Sequence, residues 1–498
     1  MTARVRHNDY GPVRPPALGG WEPSRTVTVV VPAYGDQEAL DRTLAGLAAQ
    51  TYPPRLLDVI VADDGSDPPL RLAPSAPARS RVVRVTSGWG RGAARQTGAL
   101  AATGEVIHWL DADMILSREH IEAHMRWHHL IDYAVVIGDI RFVTSETFEP
   151  DEGTVQEYTA KVLESTDMLR DAGTSAYLVH TGATTSVSAA LLRAAGGVNA
   201  GLNMAEDTEL GYRLAQAGAV FIPDREARSW HVGESTVMRR EKEVHRHNWS
   251  FLGDLVPELR WLRSHPRRQW LVPYVRVVVE ATGYEDTRAT VDSALAGTVP
   301  DVAVTVVGPW GKLTAERHSS LDDPLLDLRL IANLYAHEPR VTLAESAPPS
   351  AAPSPFLLTV PSGWTLGAET LAKLVRLADQ DVTGLVCAAL TETATGVVSA
   401  RLERTAAYAR ARHFDGEPDD VVDELFGALW VGGGELGFTD VPEPLAGDPA
   451  KWRAVAAKRQ EEIKVLEAEV AELRARLDEQ PPPEPPRRNP LARLWGDR

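Results

Sequence analysis

The sequence predicts an α/β protein in which buried parallel strands alternate with amphipathic helices, and in which the same layout occurs twice along the chain. Three observations carry this. Residues 27–34, VTVVVPAY, form a continuous β-branched run of the kind that fills a fully buried strand. Apolar runs at 57–62 and 106–110 repeat the pattern, and each stops at a pair of aspartates: Asp63-Asp64, then Asp111 and Asp113 one residue apart. At residue 275 a similar strand, helix and strand begin again.

Composition bounds the function. A chain of 498 residues is long for one core, so it predicts several domains. The formal charge of −17 argues against a nucleic-acid partner, because a phosphate backbone is met by a basic surface. The single cysteine, Cys387, excludes an internal disulfide framework. No stretch approaches the ~20 apolar residues of a membrane span, and the N-terminus lacks the apolar core of a signal peptide, so a cytoplasmic protein is expected.

Residues 1–25 are polar and proline-bearing without periodicity, and read as a flexible leader. In the first strand Pro32 has no N–H and helps end the ladder, which puts Ala33 and Tyr34 at the sheet's edge. Leu40, Leu44 and Leu47 then mark a helix over 39–50, broken by Tyr52-Pro53-Pro54. The second strand delivers Asp63 and Asp64 into the turn DDGS. Glycines 88, 90 and 92 allow close backbone approach before a helix at 93–102 carrying Arg95, where a helix start and a cation suit a pyrophosphate. The third strand ends at Asp111-Ala112-Asp113, on the edge where open α/β sheets bind ligands, and hard oxygen donors there suit Mg²⁺ or Mn²⁺ held with phosphates. Each feature alone also fits a solvated turn or an ordinary glycine-rich loop.

In this order and spacing, VPAYGDQEAL, VIVADDGS and GRGAARQTGALAATGEVIHWLDAD resemble the nucleotide-binding half of a family 2 glycosyltransferase with the GT-A fold. Residues 201–235, with AEDTELGYRLAQAG and SWHVGES, resemble that family's acceptor half, particularly bacterial enzymes of the chondroitin-polymerase type. The resemblance spans about residues 26–240. It implies a donor site of Ala33, Tyr34, Asp63, Asp64, Arg95, Asp111 and Ala112, with Asp63 accepting from the base and Asp111 facing the ribose. It implies Asp113, with His231 and Asp111, as ligands of Mn²⁺ or Mg²⁺. It makes Asp207 the catalytic base and Glu206 a residue that positions the acceptor, although acidic residues in a first helical turn also have a structural explanation in the helix dipole. Met204-Ala205 stand where relatives often have glycines, a departure that bears on the acceptor pocket.

Residues 225–276 hold eleven Lys or Arg against six Asp or Glu, with four tryptophans, and 241–269 read as a basic connector that meets an anionic acceptor or a membrane surface, or simply as a solvated helix. Residues 270–445 repeat the first layout without its acids: Gly308-Pro309 replaces the DD turn, and Pro361-Ser362-Gly363 replaces Asp111-Ala112-Asp113. They are expected to form a degenerate GT-A-like domain. Residues 451–479 alternate apolar spacings of three and four, the seam of a short coiled coil that supports a homodimer or docks a partner. Residues 480–498 are a proline-rich basic tail.

The expectation is thus an inverting, metal-dependent transfer of sugar from a nucleoside diphosphate sugar to a glycan or glycoconjugate hydroxyl. The rival readings are a nucleotidyltransferase of related fold, which lacks its glycine- and lysine-bearing signature here, and a non-catalytic glycan-binding or assembly scaffold.

Overall fold

The computed structural model describes residues 2–265, 268–316, 319–394 and 396–441, together with 464, 468 and 470. Described residues up to 439 form one compact unit, and the described residues from 440 on fall in a second. In the second unit, the expected coiled coil lies outside the described residues except for 464, 468 and 470, which are helical, and the expected tail lies wholly outside them.

Strands β1 (Val27–Ala33), β2 (Leu57–Asp63), β3 (Ser80–Arg84), β4 (Val106–Leu110), β5 (Met114–Leu116), β6 (Ala134–Val143), β7 (Thr184–Ser188) and β8 (Val220–Val232) make one sheet in the order β3-β2-β1-β4-β7-β6-β8-β5. The four strands from β3 to β4 are parallel; β7 runs antiparallel to both its neighbours, and β6 and β8 are parallel again. Every residue of β2 and β4 is buried, as their unbroken apolar runs require for a sheet covered on both faces.

Helix α1 (Gln37–Ala48) starts where the Asp36 carboxylate accepts the Ala39 N–H at 3.0 Å, and its Leu40, Leu44 and Leu47 pack on β1 and β2. Burying each leucine contributes about 1.5–3 kcal/mol. Helix α2 (Arg91–Ala101) lies so close to β1 that a Cβ on Gly98 would stand 2.2 Å from a Val30 methyl. Helix α3 (His120–His128) is buried along its whole length. Helices α4 (Glu157–Ser165), α5 (Ala189–Ala194) and α6 (Glu206–Gln216) follow, and the basic connector contains α7 (Thr236–Arg239) and α8 (Glu241–Leu255).

Residues 2–25 differ from the flexible leader expected of them. Val5, Asn8 and Tyr10 are buried, and Asn8 exchanges hydrogen bonds with the Phe221 backbone and donates to the Leu169 carbonyl. A few inward anchors order a polar segment that has no periodicity to reveal it.

A second sheet contains β9 (Val275–Glu280), β10 (Val302–Val307), β11 (Val341–Ala344), β12 (Phe356–Thr359), β14 (Leu385–Thr393), β15 (Gly396–Arg404) and β16 (Ala428–Gly432), while β13 (Trp364–Leu366) pairs with β17 (Phe438–Asp440). Its order, β11-β10-β9-β12-β15-β14-β16, repeats the order and sense of the first seven strands of the first sheet. At its ligand-side edge Asp286, from the helix Tyr284–Leu295, stands beside Gly363, so this edge is not free of carboxylates even though the turn after β12 is.

The two sheets are joined through buried Arg410, whose guanidinium donates to the carbonyls of Gly218 (2.8 Å), Ala219 (2.7 Å), Val5 (3.1 Å) and His7. Those four acceptors are backbone oxygens that would otherwise lose water on burial without replacement. Burial pushes the Arg410 guanidinium down to about 10.

Candidate active site

The turns after β1, β2 and β4 meet at one edge. The Asp64 N–H donates to the Ala33 carbonyl at 3.0 Å and the Gly35 N–H to the Ser66 hydroxyl at 3.0 Å, which locks the first two turns together and leaves Tyr34 exposed. Asp63 is 1% exposed. Its oxygens accept the Ser66 N–H at 2.8 Å and the Leu70 N–H at 3.4 Å, and Arg84 lies at 3.3 Å. Burial raises the Asp63 carboxyl, but these hydrogen bonds and Arg84 outweigh it and hold it below its ordinary value. This differs from a carboxylate facing a base: Asp63 is spent on shaping its own turn. Asp64 is partly exposed and accepts the Gly90 N–H at 2.8 Å, tying the glycine loop to the second strand.

The third turn is held from beneath. The Thr43 hydroxyl, fully buried on α1, sits 2.9 Å from the carbonyls of both Ala112 and Met114 and accepts the Met114 N–H at 3.1 Å. Asp111 donates its N–H to the Ala183 carbonyl at 3.1 Å. Antiparallel pairing of β5 with β8 sets Met114 opposite His231, and this brings Asp113 Oδ2 to 3.2 Å from His231 Nε2. His231 Nδ1 donates to the Gly233 carbonyl at 3.1 Å, so Nε2 is the nitrogen that donates to Asp113 when the imidazole is protonated and offers a lone pair to a ligand when it is neutral. The hydrogen bond to Asp113 raises the His231 imidazole; burial would raise the Asp113 carboxyl, and His231 outweighs it to give a net lowering. An oxygen donor half exposed to the edge beside an imidazole nitrogen is a donor set that fits Mn²⁺ or Mg²⁺ shared with phosphate oxygens.

Arg95 departs from the phosphate-facing cation expected of it. It is buried, donates to Asp111 Oδ1 at 2.9 Å and to Glu206, and lies under Gly182, where a Cβ would fall 2.1 Å from its Cζ. Burial works against its charge, yet Glu206, Asp111 and Asp207 together raise its proton affinity and keep it protonated. Glu206 is 2% exposed, and burial pushes its carboxyl up to about 7 although Arg95 opposes the shift. Glu206 therefore faces the protein and anchors α6, whereas Asp207 beside it is partly exposed, with its carboxylate accepting only the Thr208 N–H at 2.8 Å among the described contacts. Ala205, directly before them, has φ of 68°, a left-handed conformation that costs a non-glycine residue energy and sets the angle at which α6 presents its acids.

His180 was not foreseen. Its Nδ1 donates to the Asp207 carbonyl at 2.7 Å, fixing that residue's backbone, while burial lowers the imidazole to about 4 and keeps it neutral. Nothing in HTGATTS distinguishes this histidine, because its role depends on where α6 packs.

Comparison with known proteins points to one family for the N-terminal part of this chain. The family described as Glycosyl transferase family 2 matches residues 28–191, which cover β1 to the start of α5 and include the three acidic turns. Residues 28–191 thus carry a similarity to family 2 glycosyltransferases. The matched segment holds the parallel strands β1, β2, β3 and β4 of the first sheet. A pre-mycofactocin glycosyltransferase of Mycobacterium tuberculosis is 32% identical over 204 residues, 39% of this chain and 40% of its own length. A validoxylamine A glucosyltransferase of Streptomyces hygroscopicus subsp. limoneus is 32% identical over 106 residues, 20% of this chain and 23% of its own. The chain thus spans less than half the length of either relative. A mannosyltransferase of Pyrobaculum calidifontis, solved with GDP-Man and Mn²⁺, aligns with a TM-score of 0.34 and 19% identity over 50% of this chain and 66% of its own. No described helix is long and apolar enough to cross a membrane.

Proposed function

We propose that the chain transfers a sugar from a nucleoside diphosphate sugar to an acceptor hydroxyl, with inversion at the anomeric carbon. The observation that carries this reading is the meeting of Asp113 and His231 at 3.2 Å, from strands far apart in sequence, on the edge that also displays Asp64, Asp111 and Asp207. Asp113 and His231, with Asp111, would hold a divalent ion; when bound, such an ion neutralises charge on the departing nucleoside diphosphate. Tyr34, Ala33, Ala112 and Asp64 border the donor, and Asp63 positions their turns from beneath. Asp207 accepts the proton of the attacking hydroxyl, and attack from the face opposite the leaving group inverts the configuration. Glu206 and Arg95 position Asp207 relative to Asp111, so that the acceptor side and the donor side share one buried ion cluster. The names of the two relatives support sugar transfer.

Residues 270–445, with the repeated strand order but Pro361-Ser362-Gly363 in place of the acidic turn, are proposed as a non-catalytic copy that packs on the first and serves the acceptor or a partner. The expected homodimer rests on residues outside the described ones.

The test is Asp207→Asn. A residue acting in the transition state should, when lost, lower turnover by about 10² to 10⁴ while donor affinity stays nearly unchanged. Near-normal turnover would remove Asp207 as the base.

A further inference from the structure

Four histidines, none of them used by the proposed reaction, lie buried behind the acidic edge. His120, His124 and His128 recur every fourth residue on one face of α3, and His108 points at that face from β4. One ring nitrogen from each of His108, His120 and His124 lies within 4.8 Å of the other two. His108 Nε2 is 3.3 Å from His120 Nε2, and the Thr184 hydroxyl on β7 is 3.2 Å from His120 Nε2 and 3.3 Å from His124 Nε2. An ion bound tetrahedrally by imidazoles at about 2.0–2.1 Å has ligand-to-ligand edges of roughly 3.3–3.4 Å. These three distances are such edges.

The outer contacts aim the lone pairs inward. His120 Nδ1 donates to the Arg228 carbonyl at 3.1 Å, so its Nε2 is unprotonated. His124 Nδ1 is 3.0 Å from the Ser186 hydroxyl, which also meets His128 Nε2 at 2.8 Å; the serine can accept from the first while donating to the second. His108 Nδ1 has no hydrogen-bond partner, and its Nε2 faces His120 Nε2 at 3.3 Å, so without an ion it donates its proton there and on binding one it releases that proton. Burial keeps the imidazoles neutral and ready to bind: His120 is lowered to about 4, His108 and His124 well below the ordinary value.

We propose that His108, His120 and His124 form a buried transition-metal site, separate from the acidic edge, with Thr184 Oγ1 at the fourth corner. Three imidazoles and no carboxylate select a zinc-class ion over the hard Mg²⁺, Mn²⁺ or Ca²⁺. The ion fastens α3 to β4 and β7, and through the Arg228 carbonyl to β8; Asp111, in the turn after β4, and His231, on β8, lie three residues beyond His108 and Arg228. The role is structural, and the ion is taken up as the chain folds.

The experiment uses the untagged full chain carrying Asp113→Ala, which removes the edge site. Zn content is measured by plasma mass spectrometry as purified and after refolding with Zn²⁺, and X-ray absorption reads the ligands. One equivalent, held by three imidazoles at about 2.0–2.1 Å, is expected, with the equivalent lost in Asp113→Ala/His124→Gln. No bound zinc in Asp113→Ala after either treatment would overturn the site and leave a metal-free hydrogen-bonded cluster. Zinc bound by other ligands would overturn it equally, and this spectrum decides the matter even if the His124 variant fails to fold.

Discussion

Asp207 and Glu206 are adjacent in sequence, yet the fold gives them opposite environments: one partly exposed, the other 2% exposed against Arg95. For Asp207→Asn, a purely helix-dipole role forecasts a stability loss of ~0.3–1 kcal/mol and no specific effect on rate, so melting temperature read beside turnover separates dipole from base. Arg95→Met should behave differently. It strands two carboxylates around a buried position and should cost about 3–5 kcal/mol by denaturant unfolding. Adding Glu206→Gln should recover part of that loss in a double-mutant cycle, and strict additivity would dissolve the proposed cluster. At this scale the sequence was legible in kind but not in direction. The acidic residues and Arg95 are conspicuous, but that Asp63 and Arg95 turn inward depends on Ser66, Gly182 and Glu206, which no local pattern links to them.

The elements themselves were read more easily. Val27–Ala33 and Leu57–Asp63 are unbroken apolar runs that can only be covered on both faces, and their observed bounds lie within a residue of those expected. Helix α2 shows where reading fails: Gly98 looks like a weak helix residue, whereas in the fold it is the contact surface with Val30. Gly98→Ala should therefore destabilise by about 1–3 kcal/mol rather than stabilise, as an exposed helical glycine-to-alanine change would, and Val30→Ala should relieve it. The histidines of α3 recur at every fourth position, a spacing that by itself says nothing of a site. Their partner His108 emerges only from the packing of β4 on that helix.

For the whole unit, the repeated strand order was legible because two buried strands and a proline break recur, while the joint between the sheets was not, since Arg410 and residues 2–25 carry no periodic signal. Glu258 is a titrating group at this joint. Burial pushes its carboxyl up to about 8, with Arg404 opposing and Asp379 adding, and Gln216 donates to it at 3.3 Å. A carboxyl whose folded value is raised favours the protonated native state. Its stabilisation is full below the unfolded value near 4.5 and is lost as pH rises through about 8. The wild-type melting temperature should therefore decline between pH 5 and 8.5 relative to Glu258→Gln, and parallel curves would mean that Glu258 is ionised throughout.

The most direct test of the central reading is calorimetric titration of the full chain with UDP- and GDP-sugars, with and without Mn²⁺, in the wild type and in Asp113→Ala. At least one sugar nucleotide should bind once per chain, binding should need the ion, and Asp113→Ala should abolish it. Absence of binding to every donor, or metal-supported binding that survives Asp113→Ala, would contradict that reading.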